Sequence, residues 1–472
     1  MARIYVDLTT SVRWRRPPVG IVRVEREFAR HCLEHEPGTV FCEIDAAGVY
    51  RAMPTERVRT VLDDAWCRGE PAVAGSAPAV APPPSRRTRM QRAFDRAAAW
   101  GPKAVPAAAY PVLRDLGRVL VDHHGAWLRH REARRAMRAQ STAAETAPKP
   151  PADPATPVDA AIEPTRDDLF FSIGLQWHHG AIHAWNLKQR SGVRVVEFCH
   201  DTIPIDHPEH AGSSKQPFAE YFTCLGHTAD LIATNSDSSR RDLAAFHERV
   251  GMLRSPPLET VRLASPNVLE PVPPDALAED ERAVLARLAR DGDYVLYVSS
   301  FEVRKNHRLL LALWKDFYRE RGEACPMLVL VGMFGWGVND LWNEMQASEV
   351  WAAGKIVLLQ HVSDALLAHL YRGCAFTVFP SLYEGWGLAA NESLAYGKLA
   401  IVSNAPALQE ATQGLCPAIH PLDYPNWRAS VTHYLDDAQA RAEAEARIRV
   451  EYRPRTWTDF SVELLAAARG AP

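Results

Sequence analysis

Five short apolar runs punctuate the second half of this sequence: Tyr294–Ser299, Met327–Val331, Ile356–Leu359, Ala375–Phe379 and Leu399–Ser403. Each is followed by a stretch with helical spacing, as in Arg308–Phe317 and Asp364–Arg372. A strand that is apolar along its whole length is covered on both faces. Strands of that kind alternating with helices build a parallel sheet with helices on either side. In such sheets ligands bind beyond the carboxyl ends of the strands. The runs therefore predict a doubly wound α/β fold and the edge of it where chemistry belongs.

The same alternation opens the chain. Arg3–Thr9 is β-rich, Ile21, Val24, Phe28 and Cys32 recur at helical spacing, and Val40–Ile44 reads as a strand. Leu169–Ile173, Val193–Phe198 and Leu231–Thr234 continue the strands, and Ser238–Glu248 reads as a helix after a serine cap. A proline-punctuated stretch, 255–274, suits a linker. With 472 residues, the chain is about three times a common domain length. The expectation is α/β, with two Rossmann-like domains facing across a cleft, residues 1–270 and 275–455, and a final helix over 456–472.

One segment interrupts the pattern. From about 69 to 164 the chain is rich in Ala, Pro and Arg, and 85–139 carries 13 Lys/Arg against 4 Asp/Glu, a formal +9 in a chain of net charge −3. Arg114, Arg118 and Arg129 flank Leu113, Leu116, Val119, Leu120 and Trp127. That arrangement fits a helix lying on an anionic membrane surface, and equally a solvated helix packed on the first domain. The overall charge points to no nucleic-acid partner. The eight cysteines are scattered without a C-x-x-C pair, as buried free thiols of a cytoplasmic protein would be. The N-terminus MARIYVDLTT has no signal-like apolar core, and no apolar run reaches membrane-spanning length.

The chemistry concentrates after the fourth apolar run. Phe379-Pro380-Ser381-Leu382-Tyr383-Glu384-Gly385-Trp386-Gly387-Leu388 reads as strand, glycine turn and helix start, and continues to Asn391-Glu392-Ser393-Leu394-Ala395-Tyr396-Gly397. Glycines there let backbone N–H groups approach a phosphate at a helix N-terminus. A carboxylate pair such as Glu384 and Glu392 is suited to the hydroxyls of two neighbouring sugar rings. E-G-W-G-L, a second Glu eight residues after the first, and S-L-A-Y-G-K resemble the signature of retaining glycosyltransferases of family 4, of the GT-B fold.

The resemblance extends to three further places. Ser299-Ser300-Phe301-Glu302-Val303-Arg304-Lys305-Asn306 is similar to the family segment whose Lys clamps the donor diphosphate, and Lys305 matches that Lys. The family's frequent Arg falls on Ser300 here, so Arg304 is left as a candidate replacement. Gly20, in Pro17-Pro18-Val19-Gly20-Ile21, is similar to the family's glycine loop, with one glycine where relatives often have two. His200-Asp201 and the following Thr202–Glu209 resemble relatives with H-D-x-I-P, whose His meets the donor sugar.

What the resemblance implies is transfer of a sugar from a nucleotide-diphosphate donor to a glycan or lipid-linked glycan acceptor, with no metal or other cofactor. His200, Glu384 and Lys305 would be catalytic. Gly20, Arg304, Lys305, Gly385, Trp386, Gly387, Leu388 and Glu392 would bind the donor. O-antigen or capsule synthesis is the expected setting, with a GDP-mannose-type donor slightly preferred over UDP-sugars. Two alternatives stand beside it: a catalytically silent sugar-nucleotide-binding partner, favoured by the missing Arg at Ser300, and a hydrolysing epimerase. Asp291-Gly292-Asp293 reads as a turn, and His178, His179 and His183 as surface or acceptor-cleft histidines. Trp177 and Trp185 read as core residues or as stacking platforms for acceptor sugars.

Overall fold

In a computed structural model of the protein, residues 2–15, 20–63, 66, 160–175, 180–210, 215–265, 268–335 and 337–471 are described. The basic stretch 85–139, Cys67, Trp177, His178 and His179 lie outside them.

Strand β1 (Ile4–Asp7) is buried along its whole length. With β2 (Val40–Ile44), β3 (Tyr50–Ala52), β4 (Leu169–Ser172), β5 (Arg194–Cys199), β6 (Leu231–Thr234) and β7 (Leu258–Thr260) it forms a sheet ordered β3-β2-β1-β4-β5-β6-β7. Every pairing is parallel except β2 with β3. β3 and the helix Thr55–Leu62 were not foreseen, because a three-residue edge strand leaves no periodic signal. The expected interruption at 69–164 also ends earlier than Pro164. The Ala52 amide donates to the Ala160 carbonyl at 3.1 Å and the Ile162 amide to the Tyr50 carbonyl at 3.1 Å, so the chain rejoins this body from Ala160.

The five apolar runs become β8 (Tyr294–Val298), β9 (Met327–Val331), β10 (Ile356–Leu359), β11 (Phe376–Phe379) and β12 (Ala400–Ser403). A short β13 (Ala418–Ile419) completes an all-parallel sheet ordered β10-β9-β8-β11-β12-β13. Its core is filled by the helix His307–Arg321, whose Leu310, Leu313, Trp314 and Phe317 sit at helical spacing and are buried. Among the described residues, no helix is long and apolar enough to cross a membrane.

The last helix, Trp457–Gly470, returns to the first sheet. A capping box starts it: the Thr456 hydroxyl accepts the Asp459 amide, and the Asp459 carboxylate accepts the Thr456 amide. Trp457, Phe460, Leu464 and Leu465 then join Phe28, Phe171 and Phe198 in the first sheet's core. Phe460 meets Phe198 edge-on at 5.8 Å between centroids. Truncating Phe460 leaves a void that these rigid neighbours cannot close. Phe460→Ala should cost about 3–5 kcal/mol, read as a lower urea midpoint at unchanged slope.

Candidate active site

β8 and β11 are neighbours in the second sheet, so the loops leaving their carboxyl ends lie side by side. After β8 the chain makes a tight turn, Val303–Lys305, and Asn306 adopts the left-handed conformation at φ 57° before the next helix. After β11 it forms the loop 380–387 and then the helix Leu388–Ala395. The two loops are stitched by the Leu382 backbone N–H to the Arg304 carbonyl at 2.7 Å and the Asn306 side-chain Nδ2 to the Pro380 carbonyl at 3.1 Å.

This places Glu384 between two cations. Arg304 Nη1 donates to Glu384 Oε2 at 2.6 Å, and Lys305 Nζ to Oε1 at 2.6 Å. The Ser381 hydroxyl adds a third bond to Oε1 at 2.7 Å. Glu384 is only 7% exposed. Burial pushes its carboxyl up, but Lys305 and Arg304 outweigh burial and hold it at about 2. Burial and the neighbouring Arg304 draw the Lys305 ammonium down, against the pull of Glu384. Burial works against the Arg304 charge too, yet Glu384, Glu302 and Asp201 hold its proton more firmly than usual.

The first sheet meets this cluster from the carboxyl end of β5. His200 is buried, with Nε2 3.0 Å from the Ile173 carbonyl, so Nε2 carries the proton. Burial lowers the imidazole to about 4, which makes it neutral at pH 7. The His200 carbonyl faces Gly385: a Cβ there would lie 2.4 Å from that oxygen, so only glycine permits the approach. The Ser236 hydroxyl donates to the Gly385 carbonyl at 2.8 Å and closes the contact.

Other expected residues fall around this centre. Gly387, at φ 109°, opens the helix that Leu388 begins. The Trp386 side chain is 5% exposed and buried in the first sheet's core, where it anchors the loop. Gly20, at φ 53°, starts the helix Ile21–His35, with open space where a Cβ would stand. Glu392, one turn into its helix, is raised by burial, which Arg23 of the Gly20 helix and Tyr371 oppose.

Asp291 pairs with Arg287 and Arg290, ending its helix as a turn. His183 packs on Gly48. Trp185 lines a groove of about 770 Å³ with Ile182, Thr223 and His227. Among the described cysteines, Cys224 is half-buried and Cys32, Cys42, Cys199, Cys325, Cys374 and Cys416 are buried, all as free thiols.

Four side chains were missed as site residues. Glu302 and Ser381 stand inside quoted segments and support Arg304 and Glu384; nearness in sequence was their only signal. Arg23 is one turn past Gly20. Glu25, fully buried on the same helix, accepts the Ser11 amide at 2.7 Å and the Ser11 hydroxyl at 2.6 Å, which holds the short helix Thr9–Arg13 after β1.

Two carboxyl-end loops joined by a buried ion pair, across from a second parallel sheet, define a GT-B fold. An alpha,alpha-trehalose-phosphate synthase (UDP-forming) from Burkholderia xenovorans superposes with a TM-score of 0.50 at 15% identity, over 65% of this chain and 75% of that one. Residues 281–413 match the family Glycosyl transferases group 1. The O-antigen chain mannosyltransferase B of Escherichia coli is 30% identical over 276 residues, 58% of this chain and 70% of that protein. The chain belongs to the group 1 glycosyltransferases. The serotype-specific mannosyltransferase WbdA of Escherichia coli is 28% identical over 255 residues, 53% of this chain; that match spans only 31% of WbdA's length.

Glu25 provides a pH signature. Burial, then Asp7 beside it, raises its carboxyl to about 8. The folded state keeps a proton that the unfolded chain releases near pH 4.3, so stability falls between pH ~4.3 and 8. Glu25→Gln keeps the bond to Ser11 and removes the titration. Its thermal midpoint should exceed that of the unsubstituted protein at pH 8, with the gap closing by about pH 4.

Proposed function

We propose that the protein is a retaining glycosyltransferase of the family 4 kind, moving a sugar from a nucleotide-diphosphate donor to a glycan or lipid-linked glycan acceptor. The observation that carries this reading is Glu384, held ionised by Lys305 and Arg304 where the carboxyl ends of both sheets meet. The donor lies between that cluster and the start of the Gly20 helix. Its diphosphate meets the positive charge of the site, Glu384 and His200 position the sugar, and Glu392 takes the ribose. The bond from the anomeric carbon to the diphosphate oxygen breaks. The acceptor hydroxyl forms the new bond on the same face, and its proton passes to the departing phosphate. Stabilising that developing charge is the largest contribution a fixed cation makes.

Mannose from GDP-mannose is the proposed sugar, and O-antigen or capsule synthesis the setting, supported by the relatives named as O-antigen and serotype-specific mannosyltransferases. Residues 1–270 serve the acceptor, 275–455 the donor, and 456–472 tie the second to the first.

Purified protein given labelled GDP-mannose and a lipid-linked oligosaccharide should yield an α-linked product, assigned by NMR. A β-linked product would sink the retaining mechanism. Donor binding without turnover would make the protein a silent partner, and free or epimerised sugar without acceptor would make it an epimerase. Glu384→Ala and Glu392→Ala should each lower turnover at least about tenfold, about 1.4 kcal/mol at the transition state, while remaining folded by circular dichroism.

A further inference from the structure

We propose that Arg304 is a positioning residue, which holds Glu384 and Glu302 in place and leaves Lys305 as the cation that meets the donor's diphosphate. The inference rests on the donor reading above and divides two cations that look equivalent in sequence.

Arg304 spans several partners through Nη1 and Nε. Nη1 serves Glu384 Oε2 at 2.6 Å and the Tyr383 carbonyl at 3.3 Å, while Nε lies 3.6 Å from Glu302 Oε2. Its own carbonyl takes the Leu382 amide at 2.7 Å, so main chain and side chain together hold the loop 382–384. Asp201, from the first sheet, adds a third carboxylate to its surroundings. Lys305 differs: the one bond from Nζ among the described residues goes to Glu384 Oε1, which Ser381 also serves. An ammonium has three donors, so two remain to offer.

The ion-pair geometry decides which cation can be released. If a diphosphate draws Lys305 away, Glu384 keeps Arg304 and Ser381, and Glu302 keeps Arg304. If it drew Arg304 away, Glu384 would keep Lys305 and Ser381, but Glu302 would lose the one cation within ion-pair distance of it among the described residues, and uncompensated buried charge is the costliest outcome. Exchange at Lys305 is therefore favoured. Arg304 then does not stand in for the arginine absent at Ser300; it fixes the carboxylate that faces the sugar.

The groups facing Glu384 are Arg304, Lys305 and Ser381 on its own sheet's loops, Tyr297 of β8, and Asp201 from the first sheet. Of these only Arg304 and Lys305 are cations. Removing either raises the Glu384 carboxyl, and the two separate on ligand binding.

The test uses the full chain with Arg304→Met, Arg304→Lys and Lys305→Met. In unliganded protein, carboxyl ¹³C titration should show Glu384 rising by more than about one pH unit in Arg304→Met, while Arg304→Lys keeps it low. In calorimetry with GDP and with UDP, Lys305→Met should lose about tenfold or more in affinity. Both Arg304 variants should stay within about threefold, with kcat reduced and, in Arg304→Met, an acid limb appearing in kcat/KM. Equal loss of diphosphate affinity in Arg304→Lys and Lys305→Met would make Arg304 a phosphate ligand and overturn the proposal. So would a Glu384 titration that Arg304→Met leaves unmoved. Should Arg304→Met not fold, Arg304→Lys carries the same decision through its diphosphate affinity. A chain that binds neither diphosphate defeats the donor reading, while the Glu384 titration still decides the positioning role.

Discussion

Glu384 accepts hydrogen bonds from a guanidinium, an ammonium and a hydroxyl while almost out of contact with water. A lone carboxylate at that depth would take up a proton, and burial draws the Lys305 ammonium toward losing one. The cations keep Glu384 ionised, and Glu384 in turn favours their charged forms. The ion pair forms because β8 and β11 are hydrogen-bonded neighbours, although 79 residues separate Lys305 from Glu384. The sheet order, not the loop sequence, makes the pair.

The same loop ties the two sheets together. Gly385 lets the His200 carbonyl approach, and Trp386, the next residue, buries its ring in the other sheet's core. Beyond it, Glu410 accepts the amides of Asp237 and Ser238 at 2.8 and 2.9 Å, capping a first-sheet helix from the second sheet. Tyr383 bonds to Asp242 on that helix. A loop of four residues, Tyr383 to Trp386, thus carries an acid for the cleft and three contacts that register one sheet on the other. Substitutions in either core would reach Glu384 through these contacts without touching it.

Much of this was legible in the sequence, for uneven reasons. The strands β8–β12 stand out because fully covered strands are apolar throughout, and Glu384, Lys305 and His200 stand in extended motifs at strand ends. β3 was missed because an edge strand of three residues has no period. The place of the Trp386 ring in the other sheet's core could not be read, because a motif residue and a core residue look alike until the neighbours in space are known. The Glu302–Arg304–Glu384 contact was hidden for a related reason: a charge quoted in one segment gives no sign of its partner in another. Glu25 was invisible because a glutamate on an amphipathic helix normally faces water.

Burial acts on His200 and Glu384 alike, yet leaves them in opposite states. His200 has a backbone carbonyl for a partner, which does not outweigh burial, and the ring stays neutral. Glu384 has two cations, and they do outweigh it. The site therefore presents an anion held between two cations, beside a neutral imidazole. A ligand suited to that set brings its own negative charge for the cations and hydroxyl donors for the carboxylate. Charge and hydroxyls adjoining on one molecule are what a sugar joined to a diphosphate provides, and a neutral glycan alone would leave the cations to Glu384.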